Sequence, residues 1–67
     1  MTARERLMVR LKKLRKARDM TQEELAKRAD LSRTYVARLE TGRQDPSLST
    51  LERLAKALRV SVADLLK

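Results

Sequence analysis

Thr21-Gln22-Glu23-Glu24-Leu25-Ala26-Lys27-Arg28-Ala29-Asp30-Leu31-Ser32-Arg33-Thr34-Tyr35-Val36-Ala37-Arg38-Leu39-Glu40-Thr41-Gly42 is the stretch whose reading decides the fold. It opens with a complete helix start. Thr21 and Glu24 form a capping box, each side chain able to satisfy the other residue's backbone N–H, and Met20 with Leu25 supplies the apolar staple across it. A helix is therefore predicted from Gln22, with Leu25, Ala26 and Ala29 on its buried face and an end near Asp30. A second start follows almost at once, with Leu31 and Val36 as staple and Ser32 as N-cap. The connection is only about three residues long, so the two short helices must cross steeply, and Ala26 is small enough to allow the close approach. Gly42 closes the second of them, because only glycine enters the left-handed conformation without penalty, and Pro46 follows a few residues on.

On either side the pattern stays helical. Leu48, Leu51, Leu54, Ala55 and Leu58 mark a fourth helix, begun either from Ser47 or from a capping box of Ser49 and Glu52. Ser61 and Asp64, flanked by Val60 and Leu65, repeat the cap and staple for a short fifth helix running to the terminus. Upstream, Leu7, Leu11 and Leu14 recur at helical spacing in a basic first helix. No segment alternates as a strand would, and no repeat or low-complexity linker interrupts the chain. The expectation is an all-α, compact five-helix domain over residues 1–67, with a helix-turn-helix at about 21–41 and its exposed second helix at about 32–41.

Composition narrows the chemistry. The 67 residues hold 17 Lys and Arg against 9 Asp and Glu, a net charge of +8 and a pI near 10.9. Such a balance points to a polyanionic partner. Without Cys or His there is no usual zinc set and no imidazole-activated nucleophile, so no catalytic or metal-ligating residue is expected and no enzymatic activity. A single Gly excludes the glycine-rich phosphate loops of nucleotide-binding folds, and no cofactor is expected. The longest aliphatic run, Leu7 to Val9, is far too short for a membrane span or a signal peptide, which implies a cytoplasmic protein with no membrane partner.

The charge is unevenly placed. Met1 to Arg18 carries eight basic residues against Glu5 alone, a net +7, and the remainder is nearly balanced. Three readings of this segment stay open: a solvated outer face, an electrostatic contact to nucleic acid, and a membrane-surface helix, the last lacking the Trp or Phe anchors it would favour.

At about 100° per residue, Val36 and Leu39 fall on one face of the third helix and must point inward. The opposite face then carries Thr34, Ala37, Arg38 and Thr41, with Arg33 and Tyr35 at its edges and Glu40 nearer the buried side. Such a face can read a groove: Arg donates two parallel hydrogen bonds to guanine O6 and N7, and Thr offers a hydroxyl and a methyl. A merely solvated polar face is the competing reading.

The run from Thr21 to Ala26, Leu31-Ser32-Arg33-Thr34-Tyr35-Val36, Leu39-Glu40-Thr41-Gly42, Pro46-Ser47-Leu48 and Leu54-Ala55-Lys56-Ala57-Leu58 resembles the lambda-repressor-like, Cro/CI-type (XRE) helix-turn-helix family, over about Leu11 to Leu66. Ser32-Arg33-Thr34-Tyr35 is also similar to the small controller proteins of restriction-modification systems. The resemblance implies a sequence-specific transcriptional regulator that binds double-stranded operator DNA through the major groove. Arg33, Thr34, Tyr35 and Arg38 match positions that face base edges, although Tyr35 and Arg38 could equally meet flanking phosphates. Gln22, Ser32, Arg43 and Gln44 match phosphate-contacting positions. Arg15 and Glu40 match an internal ion pair. One departure is Asp30, where the family usually has Gly in the turn.

The family generally binds as a two-fold dimer. With no room for a separate dimerisation or sensor domain, a homodimer interface is expected on the fifth helix at Val62, Leu65 and Leu66, with Met8 and Val9 off the first helix's core stripe beside it, and no small-molecule ligand is expected. The competing reading has Leu65 in the core and Val62 and Leu66 packed on the first helix. A second functional class, an antitoxin or adaptor of the same fold, shares these residues, and a nonspecific nucleic-acid or membrane binder would rest on the basic first segment alone.

Overall fold

In a computed structural model, which describes residues 1–67, the chain forms five helices: α1 (Ala3–Ala17), α2 (Gln22–Ala29), α3 (Arg33–Glu40), α4 (Leu48–Leu58) and α5 (Val62–Leu65). Each begins at a Thr or Ser whose side-chain oxygen accepts the backbone N–H three residues on: Thr2, Thr21, Ser32, Ser47 and Ser61. Thr2, Thr21 and Ser61 have complete capping boxes with Glu5, Glu24 and Asp64. The fourth helix starts from Ser47, whose Oγ accepts Thr50 N–H at 3.1 Å, and not from Ser49. The same Ser47 hydroxyl bonds Thr50 Oγ1 at 3.0 Å, which gives the buried Thr50 a polar partner.

The helix ends share one device. Asp19, Asp30, Gly42 and Arg59 all take the left-handed conformation, with φ of 54°, 57°, 74° and 58°. After each, the next residue's N–H reaches back to a carbonyl five positions earlier: Met20 to Arg15, Leu31 to Ala26, Arg43 to Arg38 and Val60 to Ala55, at 2.8–3.1 Å. This closure satisfies carbonyls that a helix end would otherwise orphan. Only one of the four is glycine, so the other three hold a conformation that costs an L-residue roughly 1–2 kcal/mol. Gly42 has a second reason to lack a side chain, since a Cβ there would lie 2.6 Å from Met8 Sδ. Met8 thus packs on the turn after α3, and Val9 remains half exposed at 51%.

Packing runs in a ring, α1 against α3, α3 against α2, α2 against α4, α4 against α5 and α5 back against α1. Inside it lies one core of Leu7, Leu11, Met20, Leu25, Ala26, Ala29, Val36, Leu39, Leu54, Ala55, Leu58 and Leu65. Helices of eight residues such as α2 and α3 are marginal alone, so their geometry depends on this burial, at roughly 1.5–3 kcal/mol for each fully buried aliphatic side chain. The ring sets α3 across the core from the α4–α5 edge.

One expectation is corrected here. Leu65 is fully buried in the core of the single chain, so it has no surface left to offer a second copy; α5 is one turn long and spends its only inward position on that leucine. Val62 and Leu66 are half-buried against the core edge. Leu48, one of the residues that mark the fourth helix, is the first residue of α4 and stands 67% exposed.

Candidate nucleic-acid interface

The surface built by α2 and α3 starts from two caps. Thr21 Oγ takes the Glu24 N–H, so the N–H groups of Gln22 and Glu23, at the first two positions of α2, have no partner within the helix. Ser32 Oγ takes the Tyr35 N–H at 3.0 Å, which fixes the start of α3 and leaves the Ser32 hydroxyl hydrogen free to donate. These N-termini carry the positive ends of their helix dipoles, and the capping glutamate keeps the α2 box closed. The Thr21 backbone N–H and hydroxyl hold the Glu24 carboxyl below its usual range.

Along α3 the faces separate cleanly. Val36 and Leu39 are buried, Tyr35 and Ala37 are half-buried, and Arg33, Thr34 and Arg38 are exposed side by side. Ala37 and Thr41 contribute less to the free face than their wheel positions suggest: Ala37 is partly covered, and the Thr41 hydroxyl donates back to the carbonyls of Ala37 and Arg38 at 3.2 Å. In the connection to α4, Arg43 is exposed and Gln44 half-buried. A shallow cleft of about 480 Å³ joins the two helix starts and is lined by Arg15, Thr21, Gln22, Glu23 and Arg33. Gln22 and Arg33, eleven positions apart, therefore share one opening.

Behind the cleft sits an ion pair. Arg15 Nε donates to Glu40 Oε2 at 2.7 Å and Nη2 to Oε1 at 3.0 Å, while Nη1 donates to the Met20 carbonyl at 2.8 Å. The side chains are 11% and 4% exposed, and every buried side-chain polar atom has a partner. The Glu40 hydrogen bonds raise the guanidinium pKa further above its already high range. Gln22 Nε2 joins the pair by donating to Glu40 Oε1 at 3.1 Å.

The first helix spends part of its charge on structure. Arg4 pairs with Asp45 through Nε at 2.8 Å, Arg10 Nε donates to the Asp64 carbonyl at 3.0 Å, and Arg15 holds Glu40. Arg6, Lys12, Lys13 and Lys16 stay exposed and without a carboxylate within 4 Å. No helix is long and apolar enough to cross a membrane.

Sequence reading missed three contributors to this surface: Thr21 and Glu23 in the lining of the cleft, and the bond from Gln22 to Glu40. Both lining residues belong to the first turn of α2, so the capping box already marked their place. The Gln22 bond spans two helices and had no local signal. A further group of cations, Arg18, Arg28, Arg53, Lys56 and Arg59, lines two adjoining clefts at the ends of α1, α2 and α4.

Comparison with known proteins agrees with this architecture. A helix-turn-helix family model matches residues 11–65. The immunity repressor protein of Bacillus phage phi105 is 52% identical over 54 residues, which make up 81% of this chain and 38% of the repressor. The control protein C.MunI of Mycoplasma sp is 40% identical over 57 residues, 84% of this chain and 77% of that protein. Among solved structures, the restriction-modification controller protein C.AhdI from Aeromonas hydrophila superposes with a TM-score of 0.89 at 35% identity, over 92% of this chain and 94% of the other. By that match, and by two capped helices packed together with a free polar face on the second, the chain belongs to the Cro/CI-type (XRE) helix-turn-helix family.

Proposed function

We propose that the chain is a sequence-specific transcriptional regulator that occupies an operator as a homodimer, with α3 in the major groove. The observation that carries this reading is the division of α3, whose Val36 and Leu39 are buried while Arg33, Thr34 and Arg38 stand exposed beside the start of α2. Arg33 reads base edges, with Thr34 beside it, and Tyr35 and Arg38 meet bases or flanking phosphates. Gln22, Ser32, Arg43 and Gln44 grip the backbone and set register, which carries affinity without sequence preference. The names of the relatives, an immunity repressor and control proteins, favour regulation by occupancy over catalysis. The site acts in the cytoplasm, without a cofactor or small-molecule ligand.

One α3 of eight residues spans only a few base pairs, so a two-fold pair of domains on half-sites about one helical turn apart supplies the missing length. With Leu65 committed to the core, the apolar surface left for that pairing includes Val62 and Leu66, the exposed Val9 and Leu48, and a shallow cleft of about 220 Å³ whose lining includes Ala3, Leu7, Pro46, Leu51 and Leu66. Selection of bound sequences from random duplex DNA tests the whole reading. A palindrome-like motif with two half-sites is the expected product, and binding that enriches no motif overturns it.

A further inference from the structure

Gln22 and Glu40 lie 18 positions apart, on α2 and α3, and the bond between them has a consequence for DNA binding. Glu40 Oε1 accepts from both Gln22 Nε2 and Arg15 Nη2, and Oε2 accepts from Arg15 Nε, so one nearly buried carboxylate ties α1, α2 and α3 together. A glutamine at the first position of a helix ordinarily samples several rotamers and can present either end of its amide. Next to a carboxylate only the NH₂ end is accepted, because the carbonyl end would set lone pair against lone pair. The flip and the direction of the Gln22 amide are thereby fixed before any ligand arrives.

The geometry points to Glu40 as a positioning residue for the phosphate contact of Gln22. With one Nε2–H engaged by Glu40, the other is directed away from it, on the side chain that lines the cleft next to the unpartnered N–H groups of Gln22 and Glu23. Three donors then converge on one phosphate without further ordering of the side chain, and pre-ordering is a direct gain in affinity. The arrangement also explains why the carboxylate can stand behind an anion site. Arg15 holds both of its oxygens, so the pair is neutral as a unit, and the members of the network that line the cleft are Arg15 and the neutral Gln22, not the carboxylate. This inference rests on the DNA-binding reading above.

A double-mutant cycle tests it, with the unmodified chain, Glu40→Gln, Gln22→Ala and the double variant each bound to the selected operator and to a random duplex. In Glu40→Gln a single acceptor oxygen remains for three donors, and the charged guanidinium takes it from Gln22. Glu40→Gln is expected to weaken both duplexes by the same factor, roughly tenfold, when Gln22 is present, and by less than about twofold in the Gln22→Ala background. Equal losses in the two backgrounds overturn the proposal, because a purely structural Glu40 acts the same with or without Gln22. As Glu40→Gln also weakens the fold, a second measurement uses the unmodified chain alone. Nitrogen relaxation at Gln22 Nε2 is expected to give an order parameter of about 0.85, and a value below about 0.6 overturns the proposal. If the unmodified chain selects no duplex sequence, the underlying reading fails and this one with it; additive losses in a chain that does select a sequence remove this one alone.

Discussion

The first and third helices divide the work of the molecule in opposite ways. The first segment carries a net +7, yet three of its arginines are engaged inside the protein, Arg4 with Asp45, Arg10 with the Asp64 carbonyl and Arg15 with Glu40. The third helix holds only Arg33, Arg38 and Glu40 as charges, and both arginines are exposed on its free face. Under the proposed function, charge density locates attraction, and the placement of a few side chains on a rigid helix locates reading. The exposed cations of α1 are dispersed along the helix, whereas Arg33 and Thr34 are held in register by the Ser32 cap and by Val36 in the core.

The sharpest way to break this contrast is Arg15→Ala. It strands the Glu40 carboxylate and the Met20 carbonyl, and should cost about 3 kcal/mol of unfolding free energy. Urea denaturation measures it. A loss below about 1 kcal/mol would mean that α1 contributes charge and little structure. Next in size, Arg33→Ala should leave the urea midpoint within experimental scatter and cost about 2 kcal/mol in discrimination against the wrong base pair, read by competition between operator and single-base variants. If it weakens all duplexes alike, Arg33 is a phosphate contact and the reading face begins further along α3.

Smaller effects test the other half of the comparison. Replacing Lys12, Lys13 and Lys16 together with Gln should reduce affinity for every duplex by a common factor that shrinks as salt rises, with the order of preferred sequences unchanged. A changed order would put α1 among the reading elements. Arg59→Gly removes an L-residue from a left-handed helix end and should raise stability by about 0.5–1 kcal/mol. A thermal midpoint that falls instead would show that the Arg59 side chain holds more than its backbone geometry loses.

How far the sequence could be read follows from how local each feature is. Thr21 with Glu24 and Ser61 with Asp64 act over three residues, so these helix starts were visible without any knowledge of the fold; the same is true of Gly42. The α1 cap at Thr2 and Glu5 has the same three-residue spacing and is equally local. The choice between Ser47 and Ser49 was not legible, because both offer a hydroxyl at a workable distance from the helix and only the path of the loop after Gly42 selects one. Within the site, the free face of α3 followed from helical period alone. The half-burial of Tyr35 and Ala37 did not, since it depends on which neighbours crowd the edges of that face.

The sequence by itself determined the number and order of the helices, the starts of α2, α3 and α5, and the face of α3 left to solvent, because caps, staples and periodicity are short-range properties of the chain. Tertiary structure alone decided three matters. It buried Leu65 in the core of one chain, seated Met8 on Gly42, and brought Gln22 from α2 and Arg15 from α1 to the same carboxylate on α3. Each of these is a meeting of residues far apart in sequence, and what meets there is set by how five short helices close a ring around a core of twelve side chains.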